Sequence, residues 1–136
     1  MTKLALVLGL FVSAACSSLL AQNIVGMHAN IPFSFRMGDK LLPSGTYLIQ
    51  ASGSAIIVRE EGGRLVAASF MTIPESRATP PDNGELVFNR YGDEYFLASV
   101  WTPYSKDGRA LAKTKHEKDV ASLGGGVVER ASISSK

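Results

Sequence analysis

The chain has 136 residues, of which 46% are hydrophobic and 19% are charged, a composition typical of a folded protein rather than a disordered one. Its 14 Lys and Arg against 12 Asp and Glu give a formal charge of +2, and the charges are scattered, which argues against a nucleic-acid partner. Because only the N-terminus carries a long apolar run, a polytopic membrane protein is also excluded. We therefore expect one small domain.

The N-terminal segment has the pattern of an export signal. Lys3 precedes an apolar stretch over residues 4–15, which is shorter than the ~20 residues that a membrane-spanning helix needs. We therefore predict a signal peptide over residues 1–21 and, over residues 22–136, a single β-domain with a frayed C-terminal tail. The expected location is the periplasm or the outside of the cell.

The only cysteine, Cys16, lies inside this segment. Cleavage after Ala21 would leave a mature chain without a thiol, and so without disulfides or thiolate chemistry. The alternative is a lipoprotein in which Cys16 becomes the lipidated first residue. Only in that case do we expect a membrane surface as a partner.

From Val25 to Trp101, short β-type runs alternate with turn residues about every ten residues, the pattern of a sandwich or a small barrel. The alternation from Ile31 to Met37 predicts a half-buried strand, with Pro32 at a sheet edge or at the start of the regular part. The Pro- and Gly-rich segment 79–84 predicts a loop.

The segment Glu85–Trp101 predicts a hairpin with Gly92-Asp93 as its two-residue loop. Alternation places one set of side chains on a face with Arg90 and a second set on a face with Asn89. The first set is Leu86, Phe88, Tyr95, Leu97 and Trp101, and the second set is Val87, Tyr91, Phe96, Ala98 and Val100. Because both faces carry large apolar groups, the hairpin is either covered on both sides or exposes a surface for a ligand or partner.

The cover could come from the C-terminal region, where Arg109–Leu123 contains the only short segment that favours a helix. The predicted fold class is therefore all-β: a single small antiparallel sandwich or partly open barrel of seven or eight strands, with one short C-terminal helix.

The sequence offers little for catalysis. His28 and His116 are the only good candidates for proton transfer near neutral pH, and the zinc-protease pattern that begins at His116 fails because Val120 stands where the second histidine is needed. No nucleophile elbow or phosphate loop occurs. We predict no catalytic residues, no metal and no cofactor; the less favoured alternative is an acid-base hydrolase using His28 or His116.

An aromatic set is the better candidate for binding, since flat rings stack on sugars and bind peptides. The set is Arg90, Tyr91, Tyr95, Trp101 and Tyr104. Core packing is the competing explanation.

The leading hypothesis is an exported, non-enzymatic β-module that acts by binding or assembly in the cell envelope or outside the cell, with a protein, a glycan, a small apolar ligand or a second copy of itself as partner. The alternative is a small hydrophobic-ligand carrier with a barrel cavity.

The chain contains three sequence blocks and, after them, a basic, helix-prone segment. The blocks are, in order, Asn30–Phe35, Leu42–Tyr47 and Phe88–Leu97. In this combination the chain resembles a family of short exported bacterial all-β proteins of uncharacterised function. The likeness covers roughly residues 28–120. It implies export and an all-β domain, and it brings no activity, cofactor or catalytic residue.

Overall fold

The computed structural model describes residues 26–63, 65–124 and 129–135. The predicted signal peptide over residues 1–21, including Cys16, lies outside the described residues. Within them the chain forms ten β-strands and one short α-helix. The predicted all-β class with a short C-terminal helix is confirmed. No helix in the described ranges has the length and apolar character needed to cross a membrane.

The elements follow one another with short connections. They are β1 (Gly26–Ile31), β2 (Phe35–Met37), β3 (Lys40–Leu42), β4 (Gly45–Ser52), β5 (Ala55–Glu60), β6 (Val66–Ser76), β7 (Gly84–Tyr91), β8 (Glu94–Trp101), β9 (Asp107–Leu111), α1 (Lys115–Leu123) and β10 (Glu129–Ser135).

The strands form one sheet that folds into two facing layers. The first layer contains β1, β4, β5 and the first half of β6, all antiparallel. The second contains the other half of β6, followed by β9, β8, β7 and β10. The long strand β6 therefore belongs to both layers, because Val66–Met71 pairs with β5 and Thr72–Ser76 pairs with β9.

The sheet is open. Strands β1 and β10 lie side by side, but no ladder of hydrogen bonds joins their described residues. The small β2–β3 hairpin joins the second layer through a parallel pairing of Arg36 with Phe96 on β8. This arrangement fits the predicted sandwich-like fold. The strand count exceeds the predicted seven or eight because β3 and β9 were not predicted as strands and because the strand predicted over Ile31–Met37 is divided between β1 and β2.

The hydrophobic core lies between the layers. Phe35 contacts both layers, with its ring edge-on to Tyr47 on β4 at 5.4 Å and to Phe88 on β7 at 5.6 Å. The hydroxyl of Tyr47 donates to the carbonyl oxygen of Pro43, which satisfies the polar end of a ring that is 1% exposed. Aromatic packing of this kind holds the two layers face to face without a disulfide.

One predicted strand is divided in the structure, and the predicted helix occupies only part of its segment. The single strand predicted from Ile31 to Met37 is split, because β1 ends at Ile31 and β2 starts at Phe35. Pro32 has no N–H to donate to a ladder, and the chain leaves the sheet there. The short helix expected within Arg109–Leu123 is α1, which begins at Lys115, after residues up to Leu111 have paired with β6 and β8 as strand β9.

The main hairpin has its predicted turn but not its predicted register throughout. Tyr91 pairs with Glu94 across the loop, as expected. The register shifts beyond Phe88, so that Leu86 pairs with Val100. This β-bulge sends Val100 into the core and turns Trp101 to the opposite face, the reverse of the predicted assignment.

Candidate functional site

The predicted aromatic set does not form one surface. Tyr91 is 6% exposed and lies beneath α1, where its hydroxyl donates to Oε1 of Glu117 at 3.5 Å. Asn89 donates to the same oxygen through Nδ2 at 3.2 Å. Burial, followed by the neighbouring Glu117 carboxylate, raises the pKa of Tyr91 above its ordinary value. Helix α1 therefore covers this face of the hairpin, and Tyr91 is part of its packing.

Trp101 is also enclosed, at the other end of the same face. It is 3% exposed, the Arg77 guanidinium lies 3.9 Å from its ring centre, and its Nε1 donates to Ser99 Oγ at 3.0 Å. Arg77 in turn donates to Glu85 Oε2 at 3.0 Å. A Cβ added at Gly108 would clash with the Trp101 ring, at 2.6 Å from its Cδ2. These contacts leave no room for a ligand to stack on the indole.

The other three candidates lie elsewhere. Tyr95 faces the core and stacks on Phe33, with ring centroids 3.7 Å apart. Arg90 lies 5.3 Å from the Tyr95 ring and donates through Nε to the Gly92 carbonyl oxygen at 2.7 Å. Tyr104 is 79% exposed in the loop after β8, with a positive φ of 58°. Packing thus explains Tyr91, Tyr95 and Trp101, and a binding role for the set remains untested.

Each histidine lies next to a carboxylate near the surface. His28 Nδ1 on β1 is 3.9 Å from Glu61, and His116 Nε2 on α1 is 3.4 Å from Glu94. Both His side chains are roughly half exposed, at 55% and 44%. In the described part of the chain no group of three or more His, Cys, Asp and Glu residues is placed to hold a metal ion. The hydrolase alternative gains no support from this geometry.

A cleft that the sequence did not predict opens between the two layers. Its volume is about 330 Å³. Its floor consists of four core side chains that are each at most 4% exposed: Met27, Ile49, Ile56 and Val100. Its rim carries four polar residues: Thr102, Ser105, Asp107 and Arg109. Ala51, Pro74 and Gly108 complete the lining.

Arg109 is the unusual member of this rim. It pairs with Val100 on one side and Pro74 on the other, and Leu111, two residues further on the same face of β9, belongs to the core. Arg109 therefore projects from the core-facing side of the sheet. Its Nη1 donates to Thr72 Oγ1 at 3.5 Å. This placement was not predicted, because Arg109 lies in the segment within which the helix was expected.

Comparisons of the chain with protein-family models, with curated proteins and with solved structures found no match in any of the three. The resemblance described from the three sequence blocks is therefore untested by them. The function must be argued from the cleft itself.

Proposed function

We propose that the chain is an exported, non-enzymatic β-domain that binds a small apolar ligand in the cleft between its layers. The single observation that carries this proposal is the apolar floor that opens to the surface between β1, β4, β5 and β8. Of the two expectations from the sequence, binding or assembly in general and carriage of a hydrophobic ligand, the cleft favours the second.

The size and chemistry of the cleft support a ligand site. Small-molecule sites have volumes of roughly 300–1,000 Å³, mostly apolar walls and a few polar groups that orient the ligand. The cleft, at about 330 Å³, lies at the lower end of that range and combines core side chains below with hydroxyl and charged groups above. This combination suits a ligand with an apolar body and one polar end.

The same lining argues for binding rather than catalysis. Neither His28 nor His116 lies in the cleft, and Asp107 and Arg109 are the ionisable groups of its lining. An acid-base hydrolase needs a proton-transfer group beside the bound substrate. The cleft offers a place for a ligand and no such histidine.

The proposal is tested by titrating the protein, expressed with its complete N-terminal segment and purified in the form recovered, with 1-naphthylamine, a fluorescent probe that is uncharged at pH 7 and small enough for the cleft. We expect saturable binding of one probe per chain. Ala51→Phe fills the cleft from its exposed lining position and should abolish the binding, whereas Ala78→Phe, at an exposed loop position, should not. A folded wild-type protein that shows no saturable binding would overturn the proposal.

Export is tested separately by intact mass. We expect the recovered chain to begin at or near Gln22. A chain that still carries residues 1–21 would contradict export by a cleaved signal peptide. A chain that begins at Cys16 with the added mass of acyl groups would instead establish the lipoprotein alternative.

A further inference from the structure

The rim of the cleft contains a positive charge on the inner side of a sheet, and this placement bears on the kind of ligand. Core-facing positions of a sandwich are normally apolar, and an arginine there is retained when something pairs with it. Arg109 occupies such a position between Val100 and Pro74, which both line the cleft. The charged end of Arg109 is therefore held at the boundary between the apolar floor and the solvent.

The protein itself supplies the Arg109 guanidinium with few hydrogen-bond acceptors. A guanidinium has five N–H donors, and the bond to the Thr72 hydroxyl at 3.5 Å is long and has a neutral acceptor. Thr72 Oγ1 is also engaged, since it donates to the Ser54 carbonyl oxygen at 2.7 Å. Among the described residues no carboxylate oxygen lies within 4.0 Å of the Arg109 guanidinium.

Asp107, the other charged residue on the rim, does not serve as the ion-pair partner of Arg109. Asp107 lies two residues before Arg109 on the same face of β9, but it is exposed, whereas Arg109 is half-buried. Arg109 is therefore the charge closer to the apolar floor. A group that enters the cleft meets the N–H donors of Arg109 together with the hydroxyl of Thr102, whereas the Ser105 hydroxyl is bonded to the backbone of Asp107.

We propose that the ligand of this cleft is a medium-chain monocarboxylate, whose carboxylate pairs with Arg109 and whose alkyl chain lies on the apolar floor. Guanidinium and carboxylate form paired, charge-assisted hydrogen bonds. At ~30 Å³ for each heavy atom, taken as the volume share of a water molecule, the 330 Å³ cleft holds about eleven such atoms. A chain of roughly ten carbons fits that volume. This inference rests on the proposed function, because it names the ligand of the same cleft.

The test compares three probes of equal chain length at pH 7: decanoate, 1-decanol and decyltrimethylammonium. Each displaces 1-naphthylamine from the wild-type protein in the same assay. We expect decanoate to bind about tenfold or more tightly than 1-decanol, as one charge-assisted hydrogen bond would give. Decyltrimethylammonium should bind more weakly than either.

Variants then assign the preference to one side chain. Arg109→Gln should abolish the preference for decanoate over 1-decanol, because an uncharged amide cannot form an ion pair with the carboxylate, and Arg109→Lys should keep part of that preference. The control Lys106→Gln removes the same charge at an exposed position outside the cleft lining and should keep all of it. The fluorescence of Trp101 reports whether each variant is folded.

The possible results separate the two proposals. Equal, saturable binding of decanoate and 1-decanol by the wild-type protein would overturn the monocarboxylate and leave the cleft as a site for apolar ligands. A preference for decyltrimethylammonium would also overturn it and would point to Asp107. A decanoate preference that survives in folded Arg109→Gln would overturn the role of Arg109. If no probe binds at all, the proposed function fails as well.

Discussion

At the scale of single residues, three charged side chains that are buried or partly buried differ in the partners that the protein provides. Glu117 is 4% exposed and accepts from both Asn89 and Tyr91. Arg77 lies on the Trp101 ring and pairs with an acidic neighbour at 3.0 Å. Arg109 has one long bond to a hydroxyl. The first two are satisfied by the protein and serve packing, and the contrast supports the proposed pairing of Arg109 with a carboxylate ligand.

The buried carboxylate allows a first prediction. Glu117→Ala removes the acceptor of Asn89 Nδ2 and leaves that amide buried, so we expect the free energy of unfolding to fall by about 1–3 kcal/mol. Glu117→Gln keeps an acceptor oxygen and should cost less. The control Lys118→Ala changes an exposed neighbour on the same helix and should stay within about 0.5 kcal/mol. Urea unfolding measures all three, and equal losses for the Ala and Gln variants would contradict the hydrogen bond.

Two buried tyrosines predict sensitivity to alkali. Burial is the main cause that raises the pKa of Tyr91 and of Tyr47, with Glu117 and Glu60 adding to it respectively. Because the folded chain then holds these protons more tightly than the unfolded chain, their contribution is complete below about pH 10 and is lost as the pH rises through the folded-state pKa.

The measurement compares urea midpoints of the wild-type protein and Tyr91→Phe between pH 8 and pH 11.5. We expect a smaller alkaline loss of stability in the variant, since phenylalanine has no proton to lose. Lysine titration affects both proteins alike and cancels in the comparison. Parallel curves for the two proteins would show that Tyr91 does not contribute to the alkaline loss.

At the scale of elements, helix α1 depends on its first turn. Thr114 is the N-cap, and its Oγ1 accepts from the backbone N–H of Glu117 at 3.2 Å. Thr114→Ala should therefore lower the free energy of unfolding by about 0.5–2 kcal/mol, whereas Thr114→Ser, which keeps the hydroxyl, should be close to wild type. Urea unfolding with far-UV circular dichroism checks both. A serine variant as unstable as the alanine variant would rule out the cap as the cause.

The elements that could be predicted from the sequence are those whose geometry follows from a few neighbouring residues. The turn between β7 and β8 follows from Gly92-Asp93, where Gly92 takes the positive φ of 62° that glycine tolerates. The β-bulge beyond Phe88 has no comparable sequence signal, because an extra residue in a run of apolar side chains cannot be told from a residue of a regular strand. The bulge reverses the faces predicted for Val100 and Trp101. Trp101, a member of the predicted binding set, therefore lies on the opposite face of the hairpin.

At the scale of the whole molecule, the cleft is a product of tertiary structure. Met27, Ile49 and Val100 come from β1, β4 and β8, and they meet only because β6 passes from one layer to the other. No spacing in the sequence encodes that meeting. The all-β class was accessible from alternation and turn residues, whereas the site depends on contacts between strands that are distant in the chain.

The shared core and the crossing strand β6 predict that the two layers unfold together. Trp101 is the only tryptophan and reports on the second layer. Ser69, exposed on the β5-paired half of β6, can be changed to cysteine and labelled with a fluorophore in a Cys16→Ser background to report on the first layer. We expect the two signals to give the same urea midpoint.

A core variant makes the test stringent. Leu86 lies on β7 in the second layer, is 0% exposed and belongs to the core between the layers. Leu86→Ala should destabilise the protein by about 2–5 kcal/mol, through lost burial and a cavity, and should move both midpoints by the same amount. If only the Trp101 signal moves, the second layer unfolds independently and β6 does not couple the layers. Equal shifts would mean that the cleft exists only while both layers are folded, so a ligand that binds there stabilises the whole domain.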